Sequence, residues 1–303
     1  MQNHVREKKG DILKGIRPFF HQVSCIKPFV WKGEYADGTS VILKGATKME
    51  YLWKQIQLAH YCSSSFVSFV PFVDRKWIKE SNGIYWACMA FVEGRALDYS
   101  LKEDRQLALE KIAHFQQEAV GFKSNALSLL SLKRKWTNRW IRFTQDIEQT
   151  VFSSDHHELI QRYVAVGKSV LSEMTDLDDL EEKAFQNNII VHGDPAQHNF
   201  IFHIDGLLLI DGDLVAYAPH EYDYLQLLTR MLPYCSWSLE EWSGYPIPAL
   251  ENCITTRSLR RLLAYPADFY RDWLLEPGGR EQLLLRTEQQ DRLRYGFMCK
   301  VLK

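Results

Sequence analysis

The sequence predicts an α+β fold in which a small antiparallel β-rich region precedes a larger, mainly helical region. Two turn signals lie in the first hundred residues: Asp37-Gly38 separates alternating runs, and Asn82-Gly83 opens a further apolar run. Such dipeptides between alternating runs are typical of β-hairpins. Beyond residue 96, apolar residues mostly recur at helical spacing. A length of 303 residues is enough for two such parts in one chain.

The β-rich region is predicted to consist of hairpins and one helix. Met49, Leu52, Trp53 and Ile56 recur at the spacing of one helical face, which predicts the helix between the hairpins. Glu93-Gly94-Arg95 marks the end of the region. The predicted strands are residues 23–28, 29–35, 39–44, 67–74, 76–79 and 83–92.

The second region is predicted to be helical on both sides of a short β segment. Residues 188–192 form that segment, a polar loop continues to Asn199, and a hairpin turns at Asp205-Gly206. Residues from Tyr222 onwards are again predicted to be helical. The helices predicted before the β segment span 101–121, 132–150 and 157–180, and the hairpin strands span 200–203 and 207–210.

Composition excludes several classes of protein. Hydrophobic residues make up 46% of the chain and charged residues 25%, which is typical of a globular protein and excludes a mainly disordered one. A net charge of -1 gives no overall attraction for nucleic acid. No apolar run approaches 18 residues, residues 1–15 are polar, and the six cysteines contain no CxxC pair. We therefore expect a cytoplasmic protein without signal peptide, membrane span or zinc site.

The residues between 191 and 213 combine groups that phosphoryl transfer requires. His192-Gly193-Asp194 follows an apolar strand, Asn199 lies five residues after Asp194, and Asp211 ends the next hairpin. A carboxylate can orient or deprotonate an attacking hydroxyl, while an amide oxygen and a second carboxylate can hold the magnesium ion that bridges nucleotide phosphates. Asp213 is either a further metal contact or a solvated turn residue.

This pattern resembles the aminoglycoside phosphotransferase and choline kinase family, a small-molecule branch of the protein-kinase-like proteins. His192-Gly193-Asp194 with Asn199 is similar to the family's HGDxxxxN catalytic loop. Ile210-Asp211-Gly212-Asp213 is similar to its IDFD or IDFE metal-binding segment, and Tyr222-Asp223 to its YD pair. The resemblance implies that Asp194 activates the acceptor hydroxyl, that Asn199 and Asp211 hold Mg2+, and that Asp223 supports the catalytic loop.

The first region carries further points of resemblance. Val41-Ile42-Leu43-Lys44 is similar to the strand whose lysine contacts the α- and β-phosphates, and Glu50 is expected to pair with that lysine. Phe91 and Val92 stand where the family's hinge binds adenine through backbone groups. The resemblance covers roughly residues 20–235. The helix around Trp136 also resembles spore-coat-associated kinase-like proteins of sporulating bacilli.

The sequence therefore predicts a two-lobe protein-kinase-like fold. Residues 1–93 would form the nucleotide-binding lobe and residues 94–303 the catalytic and acceptor-binding lobe, with the hinge near 90–95. The predicted function is ATP- and Mg2+-dependent transfer of the γ-phosphate to a hydroxyl of a small molecule. Neither nucleic acid nor a membrane is an expected partner, and the expected compartment is the cytoplasm, or the spore coat if the coat-associated branch applies.

The sequence departs from the family pattern at two places, and one of them, the missing glycine-rich turn, favours an alternative: a weakly active or inactive kinase-like scaffold such as a spore-coat-associated protein. Gly212 replaces the usual large apolar residue, and the turn between Ser24 and Phe29 has no glycine-rich motif. Asp194 with Asn199 could also be a loop that caps its own backbone. His192, grouped with Asp194 as a candidate catalytic residue, is favoured as a structural residue that holds the loop.

A basic segment, residues 133–142, admits two interpretations. Its lysines and arginines with Trp136 and Trp140 could bind nucleic acid. Tryptophans four apart lie on one helical face, however, so a buried aromatic stripe with a charged outer face is the favoured interpretation.

Overall fold

The computed structural model describes residues 12–150, 152–174 and 177–303, so most of the polar segment 1–15 lies outside the described residues. The strands are β1 (Gln22–Lys27), β2 (Val30–Glu34), β3 (Ser40–Ala46), β4 (Phe69–Val70), β5 (Lys79–Ser81), β6 (Ile84–Ala90), β7 (Arg95–Ala96), β8 (Ile190–Val191), β9 (Phe200–His203), β10 (Gly206–Leu209) and β11 (Ala216–Tyr217). The α-helices are α1 (Met49–Tyr61), α2 (Lys102–Glu118), α3 (Leu132–Ile147), α4 (Ser154–Ser172), α5 (Leu177–Gln186), α6 (Glu221–Met231), α7 (Pro248–Thr255), α8 (Arg257–Leu262), α9 (Ala267–Leu275) and α10 (Arg280–Leu302).

The predicted α+β class is confirmed, and the chain forms two compact units. The first unit contains the chain up to Leu97 together with Gln117–Leu127 and His198–Val215. The second contains Asp98–Gln116, Ser128–Gln197 and Ala216–Lys303. The expected boundary divides the chain once, at residue 93, whereas each of these units consists of three separate segments of the chain. Asn199 and Asp211 therefore belong to the first unit, and Asp194 and Asp223 to the second.

The first unit is built on an antiparallel sheet with the order β1-β2-β3-β6, and β4 and β5 both pair with β6. Val41 and Leu43 of β3 point into an apolar core that also contains Trp31 and Trp86. Alternate residues of a strand face opposite sides of the sheet. Lys44, which lies opposite Ala87 of β6, therefore faces away from that core.

A second, smaller sheet of the first unit positions the segment before Asp211. It has the order β10-β9-β7. The Leu209 amide donates to the Ser65 carbonyl at 2.7 Å, and the Leu209 carbonyl accepts from the Val67 amide at 3.0 Å. These bonds hold β10 beside the chain that follows α1. At the start of β7, a Cβ on Gly94 would lie 2.5 Å from the Phe202 carbonyl oxygen, so only glycine fits there.

One predicted strand pair of this unit is wrong. The sequence predicts strands over 67–74 and 76–79, but β4 contains only Phe69–Val70 and β5 begins at Lys79. The chain turns between them: the Arg75 amide donates to the Phe72 carbonyl at 2.7 Å, and Arg75 has a φ of 66°. A tight turn in that place excludes continuous extended backbone.

The second unit is mainly helical. Its core contains the rings of Phe143, Phe269, Tyr270 and Trp273, which join α3 to α9. The short strands β8 and β11 pair in antiparallel register, with Val191 opposite Ala216, and this pairing fixes the position from which the loop beginning at His192 leaves β8. Among the described helices, none is both long and apolar enough to cross a membrane.

Candidate active site

In the first unit, Lys44 makes three short polar contacts. Its Nζ lies 2.9 Å from Oδ1 of Asp211, 2.8 Å from Oε1 of Gln55 and 3.5 Å from Oδ1 of Asp213. The side chain is 9% exposed, so its charge is partly shielded from water. A buried ammonium needs such partners, because burying a charge without them is costly.

Glu50 is not among the partners of Lys44, and the expected pair is wrong. Glu50 lies exposed in the first turn of α1, whereas Gln55 is buried on the face that carries Leu52 and Ile56. Residues five apart on a helix point about 140° away from each other. Gln55 therefore occupies the place expected for Glu50, and it accepts a hydrogen bond instead of supplying a negative charge.

Asp211 occupies a backbone conformation that side chains other than glycine rarely adopt, with φ 64° and ψ 58°. Such conformations persist where the surrounding structure enforces them and are common at functional sites. Burial by itself would raise the pKa of this carboxyl, but the charge and hydrogen bond of Lys44 outweigh it and lower the pKa to about 2. Asp211 is therefore an ionised oxygen donor at every physiological pH.

The turn between β1 and β2 contributes a cation to the same carboxylate. Lys27 ends β1, and its Nζ lies 3.6 Å from Oδ2 of Asp211. Phe29 follows with a φ of 62°, and its carbonyl accepts from the Gly45 amide at 2.7 Å. A glycine-rich turn would offer backbone N–H groups to phosphates. Here the turn presents the ammonium of Lys27.

The segment after Asp211 is fixed by Lys54 of α1. Its buried Nζ donates to the carbonyl oxygens of Asp213 at 2.7 Å and of Val215 at 3.2 Å. A Cβ on Gly212 would lie 3.2 Å from Cδ2 of Leu58, so a larger residue here would require the Leu58 side chain to shift. Glycine at this position avoids that close contact.

Asn199 ends a short 3-10 helix immediately before β9 and is buried. Its carbonyl accepts from the amide of Ile210, the residue before Asp211, at 2.9 Å. An amide oxygen and a carboxylate are hard oxygen donors of the kind that Mg2+ prefers. The described residues contain no group of three or more His, Cys, Asp or Glu side chains able to hold a metal ion. A bound Mg2+ would therefore complete its shell with water and phosphate oxygens.

Phe91 and Val92 lie in the segment between β6 and β7, which has no regular secondary structure. The Phe91 ring is exposed, with Nζ of Lys32 4.3 Å from its centre. An open cavity of about 680 Å³ reaches Phe91, but its wall includes Val41. Val41 and Lys44 point to opposite faces of β3, so this cavity does not lie on the face that carries Lys44.

In the second unit, Asp223 holds the catalytic loop by its backbone. Oδ2 accepts from the His192 amide at 2.8 Å, and Oδ1 accepts from the Gly193 amide at 2.9 Å. Gln116 donates to the same carboxylate at 3.2 Å. Gly193 has a φ of 80°, a region that glycine enters without strain. These contacts hold the backbone of residues 192 and 193, and the supporting role of Asp223 in catalysis stays a prediction.

His192 is completely buried. Its ring packs edge-on against Phe115, with centres 6.2 Å apart, and its Nδ1 accepts from the Asp194 amide at 3.4 Å. A fully buried ring with these contacts helps to orient the loop. Whether His192 is structural, as favoured, or catalytic stays a prediction.

Asp194 is ion-paired to α6. Its Oδ1 accepts from Nη2 of Arg230 at 2.5 Å, and its side chain is 32% exposed. Lys135 of α3 holds the neighbouring residue, because its Nζ donates to the Gly193 carbonyl at 3.0 Å and to Oε1 of Gln226 at 2.7 Å. Asp223 and Arg230 of α6 thus contact the loop directly, and Gln226 on the same face holds Lys135, which contacts Gly193.

The basic segment 133–142 is only partly as expected. Trp136 is buried, and its ring stacks on Tyr265 with centres 4.3 Å apart. The basic side chains, however, do not all point to solvent. Lys135 donates to the Gly193 carbonyl, and Arg139 donates to the Ala267 carbonyl at 3.3 Å. The interpretation of an outer charged face is wrong for these two residues.

Six site residues were not found from the sequence. They are Lys27, Lys54, Gln55, Lys135, Gln226 and Arg230. For α6 a signal was present, because Gln226 and Arg230 follow Asp223 at helical spacing on one face. No comparable signal marks the others, since each depends on the packing of segments far apart in the chain.

Comparison with known proteins finds similar structures but no similar sequences. No family model matches the sequence, and no curated protein matches it. An aminoglycoside phosphotransferase from Alicyclobacillus acidocaldarius subsp. acidocaldarius has a TM-score of 0.71 at 13% identity, over 93% of this chain and 91% of that chain. Amicoumacin kinase hAmiN, in complex with AMP-PNP, Ca2+ and Ami, has a TM-score of 0.62 at 16% identity, over 99% of this chain and 96% of its own.

A third similar structure is a thermostable mutant of aminoglycoside phosphotransferase APH(4)-Ia in ternary complex with ADP and hygromycin B. Its TM-score is 0.51 at 10% identity, over 90% of this chain and 93% of that chain. At these identities the likeness concerns the fold. The chain thus has the protein-kinase-like fold that aminoglycoside phosphotransferases share.

Proposed function

We propose that this protein transfers the γ-phosphoryl group of ATP to a hydroxyl of a small molecule. The observation that carries the proposal is the ion pair of Lys44 with Asp211 in the first unit. It brings a phosphate-binding cation and a metal-binding carboxylate together from segments 167 residues apart in the chain. The fold is that of small-molecule phosphotransferases, which supports the same reaction class.

The first unit would serve the phosphate donor. Lys44 would exchange part of its contact with Asp211 for phosphate oxygens, and Lys27 would add a second positive charge from the β1–β2 turn. Gln55 and Lys54 keep this arrangement in place from α1. Backbone groups of Phe91 and Val92 are the proposed contacts for the adenine ring.

The residues fit a magnesium ion. Asp211 is ionised, and Asn199 is tied through its carbonyl to the residue that precedes Asp211. Bound Mg2+ would neutralise charge on the β- and γ-phosphates, as it does in phosphoryl transfer generally. Asn199 and Asp211 would hold it.

The second unit would serve the acceptor. Asp194 accepts the hydroxyl proton as the acceptor oxygen bonds to the γ-phosphorus and the bond from that phosphorus to the bridging oxygen breaks, releasing ADP. The proton then passes to solvent. Asp223 and His192 are positioning residues, because they contact the backbone of the loop.

The turn without glycines favours a second candidate, a kinase-like scaffold that does not bind nucleotide. Lys27 weakens this argument, since it supplies positive charge where the missing N–H groups would lie. A melting experiment with millimolar Mg-ATP separates the two. A ligand at one hundred times its Kd stabilises the folded state by about 2.7 kcal/mol. In a protein of this size that corresponds to a rise in Tm of several degrees.

The experiment needs matched variants. We expect the Tm rise to require Mg2+ and to disappear in Lys44→Met and Asp211→Asn, but to persist in Lys48→Met, whose exposed side chain lies just before α1. Consumption of ATP with an acceptor panel is measured alongside. If neither Mg-ATP nor Mg-GTP at several millimolar raises the Tm, the phosphotransferase proposal is contradicted and the kinase-like scaffold is the remaining candidate.

A further inference from the structure

Four basic side chains of the second unit interact electrostatically with one another near residues 192–194. Lys135 and Arg139 lie one helical turn apart on α3, Arg230 lies in the last turn of α6, and Arg271 lies in α9. Lys135 contacts Gly193 and Arg230 contacts Asp194, so two of the four touch the loop directly. All four side chains are only partly exposed.

In the part of the chain that the structure describes, carboxylates pair with only two of these four cations. Arg230 pairs with Asp194, and Arg271 pairs with its neighbour Asp272 at 2.9 Å. Lys135 and Arg139 bond only to neutral oxygens: the Gly193 carbonyl, the Gln226 amide and the Ala267 carbonyl. Within the described ranges, neither forms an ion pair with a carboxylate.

The remaining acid nearby is already engaged. Asp223 accepts from two backbone amides and from Gln116. Two cationic side chains therefore lie beside Asp194 with no anion of their own. Like charges held together in a partly buried space repel each other, so this arrangement costs stability unless an anion joins it.

The ionisation of the cluster agrees with this crowding. Burial and then the charge of Arg139 lower the pKa of Lys135 to about 8, although Asp194 opposes the shift. Burial and then the charge of Arg271 lower the pKa of Arg230 to about 10. Each positive charge in the cluster thus lowers the pKa of its neighbours.

We propose that the acceptor is an anion, a small hydroxyl compound with a carboxylate or phosphate group that Arg139 and Lys135 bind while its hydroxyl lies at Asp194. This inference rests on the proposed function and adds the substrate class. A planar guanidinium binds either group through two parallel hydrogen bonds. An aminoglycoside, which carries ammonium groups, would meet charges of its own sign and bind poorly.

Three compounds with the same carbon skeleton test whether the acceptor carries a negative or a positive charge. They are D-glycerate and glycerol 3-phosphate as anions, and 3-amino-1,2-propanediol as the cation. Binding is measured by calorimetry with saturating Mg-AMP-PNP present. We expect at least one anion to bind and the cation not to bind, and the two anions distinguish a carboxylate site from a phosphate site.

Variants on one helix identify the residues responsible. Arg139→Gln and Lys135→Met should each weaken anion binding at least tenfold, while Arg134→Gln, exposed on the same helix, should leave it unchanged. Arg139→Gln is the decisive variant, because Lys135 also holds the loop. Its Tm and circular dichroism should match those of the wild type.

Three outcomes would overturn the inference: no anion binding, equal binding in Arg139→Gln, or preference for the cation. Anion binding that vanishes once Mg-AMP-PNP is bound would also overturn it, because the cluster would then hold the donor's γ-phosphate. Failure of the proposed function is separate, since it is measured by the Mg-ATP response of Lys44→Met. If the Mg-ATP response is intact but no anion binds, the proposed phosphotransfer stands and only the anionic acceptor is contradicted.

Discussion

Nη2 of Arg230 donates to Oδ1 of Asp194 at 2.5 Å, so the proposed catalytic carboxylate is held by an arginine of α6. The same helix carries Asp223, which fixes the two residues before Asp194 by their amides. Backbone and side chain of the loop are therefore oriented from one helical face. Such orientation is worth a large part of a catalyst's rate enhancement, because it holds the reacting groups near attack geometry.

Replacing Asp194 by Asn should lower kcat about 100-fold or more, since a general base and its positioning contribute at that order. The Mg-ATP-dependent rise in Tm should persist, because Lys44 and Asp211 lie in the other unit. The measurement is steady-state turnover beside the Tm shift. Wild-type turnover in Asp194→Asn would remove this residue from the mechanism.

Arg230→Gln tests whether the ion pair itself matters. It should lower kcat about tenfold in the wild-type background, because Asp194 loses the partner that orients it. In an Asp194→Asn background the same change should add little, since residues that act as a unit are not additive. Equal losses in both backgrounds would mean that Arg230 acts independently of Asp194.

Asp223→Asn should destabilise the folded state by about 1–3 kcal/mol. The carboxylate accepts one backbone amide hydrogen on each oxygen, whereas an asparagine would turn its NH2 group toward one of these two backbone amides. Chemical denaturation measures the loss. Glu221→Gln is the matched control in the same helical turn, because its oxygen at the surface still accepts from Asn252. Equal stability of the two variants would contradict the bracing role.

Candidate site residues could be proposed from the sequence where spacing along the chain suggested the chemistry. Asp194, Asn199, Asp211 and Asp223 could be proposed because they follow one another at short intervals along the chain, and their roles stay predictions. The Lys44 partner could not be found in this way. Glu50 had the right charge, but the helical phase of α1 turns Gln55 toward Lys44, and charge alone does not reveal that phase.

The basic segment of α3 shows the same limit. Trp136 and Trp140 correctly predicted a helix with a buried face, yet Lys135 and Arg139 were expected on the outer face. Lysine and arginine are rarely buried, so sequence reasoning assigns them to solvent. Here Lys135 turns inward because Gly193 and Gln226 offer it oxygen atoms. Those atoms come from distant segments.

Lys27→Ala tests the glycine-free turn. The side chain is 56% exposed and lies 3.6 Å from Asp211, so solvent weakens its effect. We expect the Mg-ATP concentration for half-maximal Tm shift to rise several-fold, with kcat affected less. The contact should also weaken as salt increases. Lys48→Ala serves as control, and a Lys27→Ala titration that coincides with it would exclude a phosphate role for this turn.

The pKa of Lys135 predicts how stability depends on pH. In the folded state it is lowered from 10.5 to about 8, chiefly by burial. Between these values the unfolded chain binds more protons, so the free energy of unfolding should rise with pH, by at most about 1.4 kcal/mol per pH unit. Below pH 8 both states are protonated and this contribution is flat. Urea denaturation from pH 7 to 10 should therefore reveal a rise in the wild type that is absent in Lys135→Met and retained in Lys133→Met, the control on the same helix. Parallel profiles for the wild type and Lys135→Met would mean that the buried ammonium keeps its ordinary pKa, and the crowding of cations around Asp194 would lose its electrostatic support.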